Sequence, residues 1–131
     1  MQGENMASLH RLKKFVLLAA QPMTGTSTIT SAAVEIVYLD NVYLQLDFTG
    51  TPTGTFAVQV SNDHYEDTNG NILVPGNWIT LVLSPAPVAA GAPNDIGIDM
   101  NQLGASYLRV VYTNTSGTGV LNATVSGKSL A

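Results

Sequence analysis

The sequence predicts an all-β protein, an antiparallel β-sandwich of jelly-roll-like type with about seven or eight strands and a short amino-terminal arm. Three observations carry this. Alternating apolar and polar residues recur along most of the chain, the period of a half-buried strand. Gly, Pro, Asn and Thr clusters punctuate those runs at short intervals. No stretch has the three-to-four-residue apolar spacing of a long helix, so a βαβ unit is not indicated.

Residues 1–14 read as a basic arm and 15–131 as the sandwich domain. Arg11, Lys13 and Lys14 stand against Glu4 in the arm, a net of +2, whereas Arg109 and Lys128 stand against eight acids in the body, a net of −6. A basic arm on an acidic body is suited to reaching an acidic neighbour. At most residues 6–14 have room for two helical turns. The order His10-Arg11-Leu12-Lys13-Lys14 before Phe15-Val16-Leu17-Leu18-Ala19-Ala20 resembles a secretory leader. Its apolar run is short for one and lacks a small-x-small cleavage pattern, so it reads as a first strand.

The strand region then begins at Phe15 and stops near Pro22. A Thr/Ser/Gly segment, 24–31, leads to Val34-Ile36-Tyr38, and after Asp40-Asn41 the run Val42, Leu44, Leu46, Phe48 alternates with Tyr43, Gln45 and Asp47. Gly50-Thr51-Pro52-Thr53-Gly54 separates it from Phe56-Val58-Val60. These two runs are expected to form a hairpin. Residues 62–77 form a long polar connection, and such connections usually carry function or an interface. A strand resumes at Trp78 with Ile79, Leu81 and Leu83 on one face, and Pro85, Pro87 and Pro93 interrupt regular structure across 84–94. A short strand over Asp95–Met100 precedes the closing pair. There Leu108, Val110 and Tyr112 oppose Tyr107, Arg109, Val111 and Thr113, and Leu121, Ala123 and Val125 alternate with Asn122, Thr124 and Ser126. Thr115-Ser116-Gly117-Thr118-Gly119 between them is suited to a second hairpin.

Composition limits the chemistry. There is no cysteine, which removes disulfides, thiolate metal sites and thiol nucleophiles. Charged residues make up 11% of the chain, well under the usual quarter, as expected of a surface partly covered by neighbours. Three cations in an arm are too few for nucleic acid, which asks for an extended basic patch. No run approaches the length of a membrane span.

The 62–77 loop holds the residues closest to a site. Asp63, Glu66, Asp67 and Asn69 gather hard oxygens of the kind calcium takes, though Asp67-x-Asn69-Gly70 lacks the downstream acid of an EF-hand loop. The same residues suit a solvated turn built on Asx hydrogen bonds. His64 lies between Asp63 and Glu66, but no nucleophile elbow or oxyanion motif accompanies it. Asp95 and Asp99, spaced as a carboxylate pair, read as the solvent side of a strand. Trp78 and Tyr65 suit sugar stacking or, for Trp78 above all, anchoring of the loop. Asn114-Thr115-Ser116 and Asn122-Ala123-Thr124 match the glycosylation sequon, a match expected by chance in a chain so rich in Asn and Thr. Interface candidates are His10, Arg11, Lys13, Lys14, His64, Tyr65 and Trp78. No cofactor is implied.

Three segments together resemble a known family. Gly54-Thr55-Phe56-x-Val58-Gln59-Val60-Ser61-Asn62-Asp63, then Asn77-Trp78-x-x-Leu81, then the order Tyr107-x-Arg109-Val110-Val111-Tyr112 through Gly117-Thr118-Gly119-x-Leu121-Asn122-Ala123 to Ser126-Gly127-Lys128 are similar to small β-sandwich structural proteins of tailed bacteriophages. The likeness covers roughly residues 11–128, with a longer 64–76 loop here. It implies a non-enzymatic virion component, a capsid decoration (cement) or head-associated protein. Its partners would be the major capsid protein or other virion proteins and further copies of itself, as in a trimer. A tail- or fibre-associated binding module directed at sugars is the alternative.

Overall fold

The computed structural model describes residues 10–100 and 103–130, and the β periodicity becomes two packed antiparallel sheets. Twelve strands occur among these residues: β1 (His10–Met23), β2 (Thr28–Thr30), β3 (Val34–Glu35), β4 (Asp40–Gly50), β5 (Thr53–Ser61), β6 (Tyr65–Glu66), β7 (Ile72–Val74), β8 (Ile79–Thr80), β9 (Val88–Ala90), β10 (Asn94–Met100), β11 (Tyr107–Ser116) and β12 (Gly119–Leu130). Sheet A has the order β1-β12-β4-β10. Sheet B has the order β2-β11-β5-β8, with β3 also on β11 and β9 also on β5. A two-stranded sheet, β6-β7, lies in the long loop. The all-β sandwich holds, and no described residue is helical.

Along β4, β5, β11 and β12 the expected faces are the observed ones, whereas in the expected Val34-Ile36-Tyr38 row Tyr38 is exposed and its neighbour Leu39 buried, because the chain turns there. From sheet A, Val42, Leu44, Leu46 and Phe48 of β4 and Leu121, Ala123 and Val125 of β12 turn inward. From sheet B, Phe56 and Val58 of β5 and Leu108, Val110 and Tyr112 of β11 meet them. Phe56 lies 5.7 Å from Phe48 across the sandwich and 4.5 Å from Tyr112 within its own sheet. Each fully buried Leu or Phe contributes about 1.5–3 kcal/mol, so these rows dominate the fold's stability.

Partner choice differs from the sequence expectation at both proposed hairpins. β4 and β5 do not pair, and neither do β11 and β12, because each turn crosses from one sheet to the other. Instead β4–β5 and β11–β12 run beside one another as one antiparallel ribbon, Asp40↔Lys128 at one end and Ser61↔Tyr107 at the other. The ribbon bends from sheet A into sheet B at residues 50–53 and 116–119, where the Thr51 N–H donates to the Thr118 carbonyl at 2.8 Å. Gly50 and Gly117 supply the left-handed backbone the bend needs, with φ of 83° and 76°. Burying two apolar faces against each other requires such crossings, whereas a hairpin would keep both strands in one layer.

Other boundaries shift as well. β1 begins at His10, five residues before the expected strand start, and pairs with β12 from His10↔Leu130 to Met23↔Gly119 without a break at residues 14/15. Of the residues expected in the arm, 10–14 therefore lie on a paired strand, and 1–9 lie outside the described residues. Pro22 sits within β1, paired with Val120 on an edge strand, where a missing N–H is tolerated. Regular structure at β9 appears inside the proline-rich 84–94 segment, and β8 is only two residues long.

Candidate functional site

The 62–77 loop folds over the Tyr107 end of sheet B on its outer face. Tyr107, placed by alternation on the outward face, is buried beneath it. His64 is the buried hub, 6% exposed. Its ring lies 5.0 Å from Trp78 and edge-on to Tyr107 at 5.1 Å. Its Nδ1 accepts the Gly76 N–H at 3.4 Å, which leaves Nε2 to donate to Glu66 Oε2 at 2.7 Å. The Glu66 N–H in turn reaches the Tyr107 hydroxyl at 3.2 Å. Gly76 approaches so closely that a Cβ there would strike the His64 backbone.

The acidic residues staple this loop. Ser61 Oγ–H, the Asn77 N–H and Asn77 Nδ2 all donate to Asp63, at 2.9, 2.8 and 3.1 Å. Those donors, the Asn77 N–H foremost, hold the Asp63 carboxyl below its usual range. Asp67 takes the N–H groups of Asn71 and Asn69 at 2.9 Å each and Asn71 Nδ2 at 3.0 Å, closing the β6–β7 turn. The Asn71 N–H foremost lowers the Asp67 carboxyl too. Both carboxylate oxygens of Asp63 and of Asp67, and Oε2 of Glu66, thus already accept hydrogen bonds from the loop and from Ser61 at its base, and Asn69 is exposed on the turn. Among the described residues no three His, Asp or Glu side chains converge on a metal position.

Trp78 has two ring contacts. The Arg109 guanidinium sits 4.2 Å from its ring centroid, and His64 packs against it from elsewhere. Arg109 is itself tied to Gln59, Nε to Oε1 at 2.9 Å, and its burial lowers its pKa from the ordinary value. Arg109 and His64 together tie the partly exposed Trp78 ring to the loop and to sheet B. Ser61 Oγ accepts the His64 backbone N–H at 3.2 Å while donating to Asp63, and the Tyr107 hydroxyl accepts the Glu66 N–H, so both hydroxyls fasten the loop.

Beside its polar turn the fastened loop, with the segment that follows it, also presents apolar side chains. Tyr65, Ile72, Leu73, Val74, Ile79 and Val82 are all half or more exposed, Val82 at 98%. Alternation could not mark these residues, because β7 buries neither face. The Asn69-Gly70 pair between Tyr65-Glu66 and Ile72-Leu73-Val74 was the available hairpin signal. Lys13 lies across from this loop and shares a cleft of about 360 Å³ with Tyr38, Glu66, Asp67 and Gly70. Lys14 instead stands exposed on β1, and the side chains of His10 and Arg11 are outside the described residues.

The chain matches no family model, and no curated protein matches it in sequence. Its fold has solved counterparts. The sandwich is similar to part of a virus particle protein. The structure of infectious bursal disease virus, Gx strain, aligns at a TM-score of 0.58 and 8% identity over 92% of this chain. The VP2 subviral particle of the same virus aligns at 0.56, again at 8% identity over 92%. The PBSX exported protein XepA aligns at 0.53, with 16% identity over 91%. This chain spans about a third of each, 32%, 33% and 37% of their lengths. At such identities the likeness establishes the fold.

The Asn114 sequon is closed to modification. Asn114 is 1% exposed and bonded on all sides, while Asn122 accepts the Ala20 N–H at 2.8 Å in the β1 bulge.

Proposed function

We propose that this chain is a non-enzymatic virion structural protein, a capsid decoration (cement) protein that binds across shell subunits and stabilises the particle. The observation that carries the reading is the set of exposed apolar side chains Tyr65, Ile72, Leu73 and Val74 on a loop pinned to sheet B, with Ile79 and Val82 just after it. Large exposed apolar patches mark surfaces that another protein covers. Pinning through His64, Asp63 and Asp67 means that little ordering entropy is lost when a partner docks. The sandwich it shares with a segment of a virus particle protein, and the sequence likeness to small phage structural proteins, support the same role. Its partners would be the major capsid protein or a neighbouring virion protein, on the surface of the particle. Modest contacts of this size act through many copies.

Particles stripped of the protein should lose resistance to heat and osmotic shock and regain it when purified protein is added back. Ile72→Asp and Val82→Asp, both at exposed positions, should abolish rebinding while leaving the circular dichroism spectrum unchanged. Stripped particles as robust as intact ones would overturn the role.

A further inference from the structure

Sheet A ends on both sides in strands that pair only inward among the described residues, β1 at one side and β10 at the other. One outward-facing row crosses all four strands. Lys14 pairs with Ser126, Ser126 with Tyr43, and Tyr43 with Asp99. The row therefore begins in an exposed cation on the β1 edge and ends in an exposed anion on the β10 edge. An edge lysine ordinarily wards off a new strand; here the opposite edge carries its counter-charge at the same level.

The inward-facing row next to it is matched in a different way. Phe15 pairs with Val125, Val125 with Leu44, and Leu44 with Ile98. Its two interior members are fully buried, while Phe15 and Ile98 at the edges are only half-buried. Along the β10 edge a cleft of about 570 Å³ lies open, lined by Ile96 and Ile98 from one face of the strand, Gly97 and Asp99 from the other, and Leu83 and Pro85 from the 83–88 segment beside it.

Strand direction completes the match. Every neighbouring pair in sheet A is antiparallel, so across four strands β1 and β10 run in opposite directions. A second copy in the same orientation, set with its β1 beside β10, continues an antiparallel ladder without being turned over.

We infer that a second copy of this chain docks its β1 edge on the β10 edge of the first, joining the two A sheets. At unshifted register Lys14 of the second copy stands beside Asp99, and its Phe15 beside Ile98 at the cleft. Directly opposed side chains have Cβ atoms about 5 Å apart, within reach of an ion pair. Of the two-fold alternatives, β10 against β10 centred on Gly97 sets Asp95 opposite Asp99, and β1 against β1 centred at residues 13–14 sets lysines together, both repulsive, whereas the head-to-tail register sets opposite charges together. The contact is head-to-tail, so each pair retains a free β1 and a free β10, and assembly proceeds to a closed ring or a filament. The inference deepens the assembly role proposed above and rests on it only for its biological purpose.

Sedimentation velocity on the full chain tests it. Species above the monomer should grow with concentration and recede with added salt. Lys14→Glu and Asp99→Lys, each checked for an unchanged circular dichroism spectrum, should each weaken association by about tenfold or more. The double variant Lys14→Glu/Asp99→Lys restores the opposite charges and should recover it. The two single variants mixed should associate with each other better than either alone. A chain that stays monomeric at every concentration, single reversals without effect, or stronger association of Lys14→Glu alone would overturn the pairing. A monomeric chain that still protects stripped particles would remove this contact and leave the decoration role standing.

Discussion

Thr51 and Thr118 are 67 residues apart in sequence, yet the N–H of the first donates to the carbonyl of the second at 2.8 Å. That bond ties together the two corners at which the central ribbon passes from one sheet to the other. Gly117 stands at the tightest point, with φ of 76° and the space for a Cβ filled by the Thr51 carbonyl.

Gly117→Ala should consequently destabilise the fold by about 2–4 kcal/mol, since left-handed strain and a backbone shift add together. Gly70→Ala is the internal comparison. Its φ is 84°, but nothing lies within 4 Å of the added Cβ, so only the strain of about 1–2 kcal/mol remains. Urea unfolding of the two variants side by side measures the difference. Equal losses would mean that the corners do not pack as described.

The ribbon also shows where sequence reading ends. Alternation over 42–48, 56–60, 107–113 and 121–126 placed the core side chains of the four central strands on their correct faces, because burial of one face imposes the period of two. It carries no information about which strand lies alongside. A Gly-Thr-Pro-Thr-Gly link has the residues for a hairpin and equally those for a corner, and a choice between them depends on how two distant segments pack. Tyr107 illustrates the second limit. Its outward position was legible, but its burial comes from Glu66 and His64, about forty residues earlier, folding over it. Trp78 as a loop anchor was legible, whereas its partner Arg109 was hidden, since a guanidinium on a ring leaves no mark in local pattern.

His64→Ala should cost about 2–4 kcal/mol, through lost ring packing and an unpartnered Glu66 in a half-buried position. The effect is local, so it has a local reporter. Trp78 is the sole tryptophan, and its emission should shift to the red as the loop loosens, before the global transition seen by circular dichroism. Coincident transitions at the wild-type midpoint would show that His64 does not fasten the loop.

Asp95 stands directly opposite Asp47 in the β4–β10 ladder, and the hydrogen bond to Asp47 followed by its charge push the Asp95 carboxyl above its ordinary value. A raised folded-state value means that the fold binds this proton more tightly than the unfolded chain. The associated stability is complete below the unfolded value and is lost as pH rises through the folded one. Asp95→Asn keeps a donor toward Asp47 at every pH. It should therefore raise the melting temperature near neutral pH and change it little at about pH 3. Asp63 and Asp67 are shifted the other way, so their contribution is present at neutral pH and fades on acidification. An Asp95→Asn melting temperature below that of the wild type at neutral pH would refute the repulsive pair.

Asn114 braces the corner of the same ribbon from within. Its Nδ2 donates to the carbonyls of Gly25 and Gly117 at 2.8 and 3.0 Å, and its Oδ1 accepts the Tyr112 hydroxyl at 2.7 Å. Asn114→Ala strands two carbonyls and a buried hydroxyl at once, which should cost about 2–4 kcal/mol. Tyr112→Phe removes a single hydroxyl and should cost about 1–2 kcal/mol. Because the two share one hydrogen bond, the double variant should be less destabilised than the sum of the singles, by about 1 kcal/mol. Additive losses in a denaturant-unfolding cycle would show that Tyr112 and Asn114 act independently, and the corner would then be held by its glycines alone.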